Sequence, residues 1–183
     1  MKPNQLTSSI KEPSVLQQWL QHLPLLLFVG FISFVYFHRQ MPHAPKRVNP
    51  ASLQFVGLNG QPLAAALFEK KAMIVNFWAP WCGPCRIETP SLQKLQREHP
   101  GDLVVIGVVA DASQYEQAGE FMKSRGVSYP LVRETPLMDA VFGAVSVLPT
   151  TFYITADGKV VHAGSGLLPE ILMQHYLSEA LRK

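Results

Sequence analysis

The stretch AMIVNFWAPWCGPCRIETP, residues 72–90, decides how the rest of the chain is read. Its first part, residues 72–78, is an apolar and β-branched run suited to a strand covered on both faces. That strand leads straight into Cys-X-X-Cys at the start of a helix predicted from about Pro84 to His99. Cys82 then stands at the N-cap, where unpaired N–H groups and the helix dipole favour an anion. Cysteines so placed have pKa values lowered from ~8.5 toward ~7 or below, and the thiolate is the form that attacks a disulfide. Cys85 follows one turn into the helix on the neighbouring face, beneath Cys82, which makes it the resolving thiol. Pro84 suits the first turn, and its fixed φ helps hold the two sulfurs at bridging distance. A redox-active Cys82–Cys85 disulfide is expected. Trp81 has two readings at this point, a core aromatic or a partly exposed ring that docks the substrate.

At 183 residues the chain has room for one globular domain and an accessory segment. Its two cysteines cannot form a disulfide framework, and a domain of this size does not need one, so they are read as chemistry. The net charge of +3 comes without any Lys/Arg run or basic-aromatic interleaving, so no nucleic-acid partner is expected.

Apolar residues make up 48% of the chain, and their excess is concentrated near the N-terminus. From Trp19 to Phe37 there is no charge. As a helix this stretch would extend roughly 28 Å, close to the ~30 Å hydrocarbon thickness of a bilayer. A single uncleaved transmembrane helix at about 19–37 is therefore expected within an N-terminal segment 1–38. A cleaved signal peptide is the alternative, set against by the length of the run and the lack of a small-x-small site after it. Residues 39–50, with three prolines in HRQMPHAPKRVNP, read as a tether, and residues 51–183 as the folded domain. Lys2 and Lys11 precede the span while Arg39, Lys46 and Arg47 follow it, so charge alone slightly opposes a domain on the outside.

Within the domain, LQFVGLNGQPLAAAL predicts a strand, an Asn59-Gly60 turn and a second short strand. DLVVIGVVA is a second buried strand, QYEQAGEFMKSRG a helix ending at Gly126, YPLVRE a short strand and PLMDAVFG a brief helix. TTFYITADGKVVHAG is a hairpin turning at Asp157-Gly158, and an amphipathic helix with Pro169 in its first turn closes the chain. This order implies an α/β fold, a central mixed β-sheet flanked by helices on both faces.

A metal site needs four ligands and the cysteine pair supplies two. His22 and His38 lie at the ends of the apolar stretch, His43 sits in the tether, and His99, His162 and His175 show no ligand spacing. A copper or zinc thiol module and an inert structural disulfide remain alternatives, although a flanking Trp and an N-cap position suit a reactive thiol. No metal and no cofactor are expected.

VNFWAPWCGPCRIETP resembles the active-site stretch of thioredoxin-like proteins, most closely the membrane-anchored TlpA/ResA-type thiol:disulfide oxidoreductases. The resemblance continues through LNGQPL, VVIGVVAD, VSYPLV and VLPTTFYITADGKVVHAGSG, and Pro90 matches a helix-kinking proline of that family. It implies a thioredoxin-like fold, a cis peptide before Pro149, and a substrate-binding surface made by Trp81, Gly83, Pro84, Leu148 and Pro149. The backbone of Leu148 would pair with an extended substrate segment. Common thioredoxins carry a buried aspartate at the position of Asn76, and an amide cannot accept the proton that Cys85 must lose. Glu88, three residues after Cys85 and within side-chain reach, is the expected substitute, as the TlpA/ResA branch has a glutamate there. The Gly83-Pro84 dipeptide is that of thioredoxin, with a potential of ~−270 mV against ~−120 mV for the oxidant DsbA, which favours a reductase. The resemblance further implies protein disulfide substrates, apocytochromes c among them, and a membrane thiol electron donor of the CcdA or DsbD type. It places the domain outside a bacterial inner membrane, facing the periplasm. A peroxiredoxin-type peroxidase shares the fold but sets its cysteine in a Thr/Pro context unlike WCGPC.

Overall fold

The computed structural model describes residues 22–33 and 45–182, in two compact units divided after Arg39. The first unit contains one described helix, α1, over residues 22–33, on which Leu25, Leu27, Phe28, Phe31 and Ile32 are exposed. The rest of the expected span, 19–21 and 34–37, lies outside the described residues, as do the tail 1–18 and residues 38–44. Among the described residues no helix is long and apolar enough to cross a membrane.

The second unit is built on five strands: β1 (Ala72–Trp78), β2 (Leu103–Val109), β3 (Leu131–Arg133), β4 (Thr150–Ile154) and β5 (Val160–Ser165), in the order β3-β2-β1-β4-β5. β1, β2 and β3 run parallel, while β4 and β5 pair antiparallel, so the sheet is mixed as expected. Four helices accompany it: α2 (Gly83–Glu98), α3 (Tyr115–Ser124), α4 (Pro136–Phe142) and α5 (Glu170–Leu181). Side chains alternate along a strand. Ile74 and Trp78 of β1 therefore pack with Leu92 and Leu95 of α2, Met122 of α3, and Met173 and Leu177 of α5. Met73, Val75 and Phe77 point the other way, toward Phe55, Phe68 and α4, whose Phe142 ring lies 4.7 Å from that of Phe152. Every residue of β1 and β2 is buried because both faces are covered, which is why neither strand alternates in sequence.

Two expectations need correction. Residues 53–67 do not form two strands. They make isolated bridges, Val56 with Pro62 and Gly57 with Val132, and then a 3-10 turn over Ala65–Leu67. Gln54 has φ +38, outside the extended region, and Pro62 has no N–H to extend a ladder. The tight turn itself is present, with Gly60 at φ +82. Pro169 is the N-cap of α5 and not a residue of its first turn. Val48, in the tether stretch, is buried, and its N–H donates to Gly158 O at 2.7 Å. Gly158, at φ +86, passes so close to that segment that no Cβ fits.

Candidate redox site

Cys82 and Cys85 are joined by a disulfide with Cα atoms 5.3 Å apart. Cys82 is the N-cap of α2, with extended backbone (φ −76, ψ 106), and its Sγ accepts the Cys85 N–H at 3.3 Å. The neutral disulfide sulfur thus takes up an orphan helix N–H, in the place that a Cys82 thiolate would hold once the bridge opens. Cys85 is sealed at 1% exposure and Cys82 at 5%, whereas Trp81, Gly83 and Pro84 are exposed. The Trp81 ring is 63% exposed and so is not a core aromatic; its Nε1–H donates to Asp111 Oδ2 at 3.2 Å.

Thr150 of β4 pairs with Phe77 of β1, so Pro149 and Leu148 stand at the end of the sheet where β1 runs into the cysteine loop. The Leu148–Pro149 peptide is cis, Pro149 is buried and Leu148 half-buried. Pro149 O accepts the Gly166 N–H at 2.7 Å, whereas Leu148 takes no part in the main-chain hydrogen bonds that the described residues make outside helices and strands. Pro90 lies inside α2.

Glu88 is 2% exposed on the sheet side of α2, one turn after Cys85. Its Oε1 accepts from Asn76 Nδ2 at 2.6 Å, and the same amide donates to Thr151 Oγ1 at 2.9 Å. Oε2 has no hydrogen-bond partner among the described residues. Burial raises the Glu88 pKa to about 7; the Asn76 hydrogen bond opposes this, as does the Leu168 amide, which lies near without reaching hydrogen-bond geometry. A carboxyl poised there can take a proton from a neighbouring thiol and return it near neutral pH. The segment over Glu88 is tied to α2 by Glu170, which accepts from Lys94 Nζ at 2.7 Å and Ser91 Oγ at 3.3 Å. Among the described residues no group of three or more His, Cys, Asp or Glu side chains could hold a metal ion. Sequence reasoning missed Thr151, the second partner of Asn76, and Asp111, the partner of Trp81. Neither carries a local signal, since each contact depends on how separate strands and loops are set side by side.

The profile of the Redoxin family matches residues 43–176. The thiol-disulfide oxidoreductase ResA of Bacillus subtilis is 34% identical over 122 residues, which cover 66% of this chain and 67% of that protein. The thiol:disulfide interchange protein HelX of Rhodobacter capsulatus is 32% identical over 161 residues, 82% of this chain and 89% of that one. Among solved structures, a thiol:disulfide interchange protein of the thioredoxin family from Chlorobium tepidum superposes with a TM-score of 0.58 at 30% identity, covering 69% of this chain and 91% of its own.

Proposed function

Starting from a chain that belongs to the redoxin family and is a thiol:disulfide oxidoreductase with a Cys82–Cys85 pair, we propose that it reduces disulfides of exported proteins from a membrane anchor. The observation that carries the exchange chemistry is the position of Cys82 at the α2 N-cap, with Cys85 sealed beneath it one turn before a buried carboxyl. The Cys82 thiolate attacks a substrate disulfide and releases one substrate thiolate. Glu88 takes the Cys85 proton, and Cys85 Sγ then attacks Cys82 Sγ, closing the disulfide and expelling the second substrate thiolate. Two electrons pass from the dithiol to the substrate. Trp81, Gly83 and Pro84 form the exposed contact surface, and Leu148 with Pro149 aligns the substrate backbone beside the sulfurs.

The reductase direction is supported by the Gly83-Pro84 dipeptide. The anchor reading is supported by the uncharged stretch 19–37 and by the exposed apolar side chains of α1. Anchoring would hold the domain near a membrane thiol donor of the CcdA or DsbD type and raise their effective concentration. The names of ResA and HelX speak of disulfide exchange, and reduction of apocytochrome c disulfides to thiols is the specific task we assign by likeness to that branch.

The test is a reduction potential of the full chain in glutathione buffers, paired with insulin reduction and carbonate extraction of membranes. A potential near ~−270 mV with turnover lost in Cys82→Ser is expected, and one near ~−120 mV reverses the direction. Release by carbonate removes the anchor.

A further inference from the structure

To accept the Cys85 proton Glu88 must first be ionised, yet its carboxyl, pushed up to about 7, exchanges its proton with solvent from a position that is 2% exposed. One transverse row of the sheet differs from the apolar rows around it. Asn76 on β1 pairs with Gly107 on β2 and with Thr151 on β4, and Thr151 pairs with Gly164 on β5. The outer positions of this row lack side chains, and each is roofed by a ring. A Cβ on Gly107 would lie 3.2 Å from Tyr129 Cε2, and one on Gly164 would lie 2.9 Å from His162 Nε2. From Asn76 to the β5 edge the row is therefore polar, through Thr151 and the imidazole over Gly164, on the face covered by α2 and α5.

Glu88 Oε2 and the Tyr153 hydroxyl are both buried without a hydrogen-bond partner among the described residues. Tyr153 follows Thr151 by two positions on β4 and so shares its face; it pairs with His162 of β5, and the two rings lie 6.1 Å apart. His162 is half-buried on the outermost strand and stacks on Tyr176 at 3.6 Å with the planes 4° apart. An unpaired buried oxygen destabilises the fold, and native interiors answer such groups with a bridging water.

We propose that Tyr153 and His162 carry protons between Glu88 and solvent at the β5 edge. This rests on the reading of Glu88 as the acceptor for Cys85. In the resolving step the Cys85 S–H bond breaks, its proton goes to Glu88, and its electron pair forms the bond to Cys82 as the Cys82–substrate bond breaks onto the substrate sulfur. Beforehand, the proton that Glu88 holds moves through a bridging water to the Tyr153 oxygen while the Tyr153 proton passes to His162 Nε2, which leaves the carboxylate ready to accept. His162 then releases its Nδ1 proton to water, and no electrons move in this stage. The groups facing Glu88 are Cys85 on its own helix, Asn76 on β1, Thr151 and Tyr153 on β4, Tyr129, and the Leu168 amide. Those facing His162 are Tyr153, Tyr176 and Glu179. Burial holds the His162 pKa below its usual value, which keeps a neutral imidazole able to accept.

The reduced full-length protein is mixed with dithiobis-nitrobenzoate, which releases one thionitrobenzoate when Cys82 attacks and a second when Cys85 resolves. At low buffer concentration Tyr153→Phe and His162→Gln should slow the second release relative to the first by on the order of tenfold. Added imidazole should restore His162→Gln but neither Tyr153→Phe nor Glu88→Gln. Gly164→Ala, which displaces the imidazole without removing it, should slow the same step in part. An unchanged second release in Tyr153→Phe or His162→Gln overturns the route, as does a slowed His162→Gln that imidazole leaves slow. If Glu88→Gln also resolves at the parent rate, the acceptor role itself has failed and the route falls with it.

Discussion

Replacing Glu88 by Gln tests the buried carboxyl through stability as well as through rate. The carboxyl titrates at 4.5 when unperturbed and is pushed up to about 7 in the folded protein by burial. Between these values the native state holds a proton that the unfolded chain has already released. The contribution to stability is therefore full below pH 4.5, falls as pH rises through about 7, and is level above that. At about 1.4 kcal/mol per pH unit the drop amounts to about 3 kcal/mol. Gln keeps the shape and still offers Oε1 to Asn76 Nδ2, but has nothing to ionise. Near pH 8 the variant should exceed the parent by about 3 kcal/mol, and near pH 4 the two should agree within about 1 kcal/mol. Glu134, also raised to about 7 by burial and by Asp139, slopes both profiles alike and cancels in the difference. Urea unfolding of the disulfide-closed protein at a series of pH values reads this directly, since neither cysteine then titrates. Parallel profiles with a constant offset would refute the buried ionisation.

Asn76→Asp places a second carboxyl where the amide now stands 2.6 Å from Glu88; the two cannot both ionise, so the unfolding free energy from urea titration should fall by on the order of 3 kcal/mol at pH 8 and recover toward pH 5. Cys85→Ser keeps the attacking thiol and loses resolution, so a stable mixed disulfide on Cys82 should accumulate in intact-mass spectra, and its absence would unseat Cys82 as the attacking sulfur. In Gly107→Ala the new methyl meets Leu131 Cδ2 at 2.8 Å and Trp78 Nε1 at 3.1 Å. That overpacking should cost about 1–3 kcal/mol in urea unfolding, and a neutral result would show that the row has slack.

What could be read from the sequence was what is local. The strand running into Cys-X-X-Cys, the Asp157-Gly158 turn and the helix stop at Gly126 are each set by adjacent residues, and the structure has all three. The strands expected between 53 and 67 failed because the alternation there competes with a positive φ at Gln54 and the missing N–H of Pro62. The polar row under α2 was invisible for a different reason. Asn76 and Thr151 meet across 75 residues of chain, and nothing in either neighbourhood states the register that aligns them with Gly107 and Gly164. Glu88 could be placed a turn from Cys85 by counting, but its burial depends on the Leu168–Glu170 segment, about eighty residues further on.

The replacement of a strand carboxylate by Asn76 has a consequence for where the mobile proton resides. One Nδ2 hydrogen goes to Glu88 Oε1 and the other to Thr151 Oγ1, so both amide hydrogens are committed and the carbonyl end is turned away from Glu88. Oε1 is therefore an acceptor whether or not Glu88 is ionised, and an added proton must sit on Oε2. That is the oxygen left without a partner. The amide thus orients the carboxyl without competing for its proton, which a second carboxylate in the same place would do. Because Glu88 and Cys85 are carried on one turn of α2, the acceptor also keeps its register with the resolving thiol when the disulfide opens, whereas a base on β1 would be fixed to the sheet while the helix N-terminus moved.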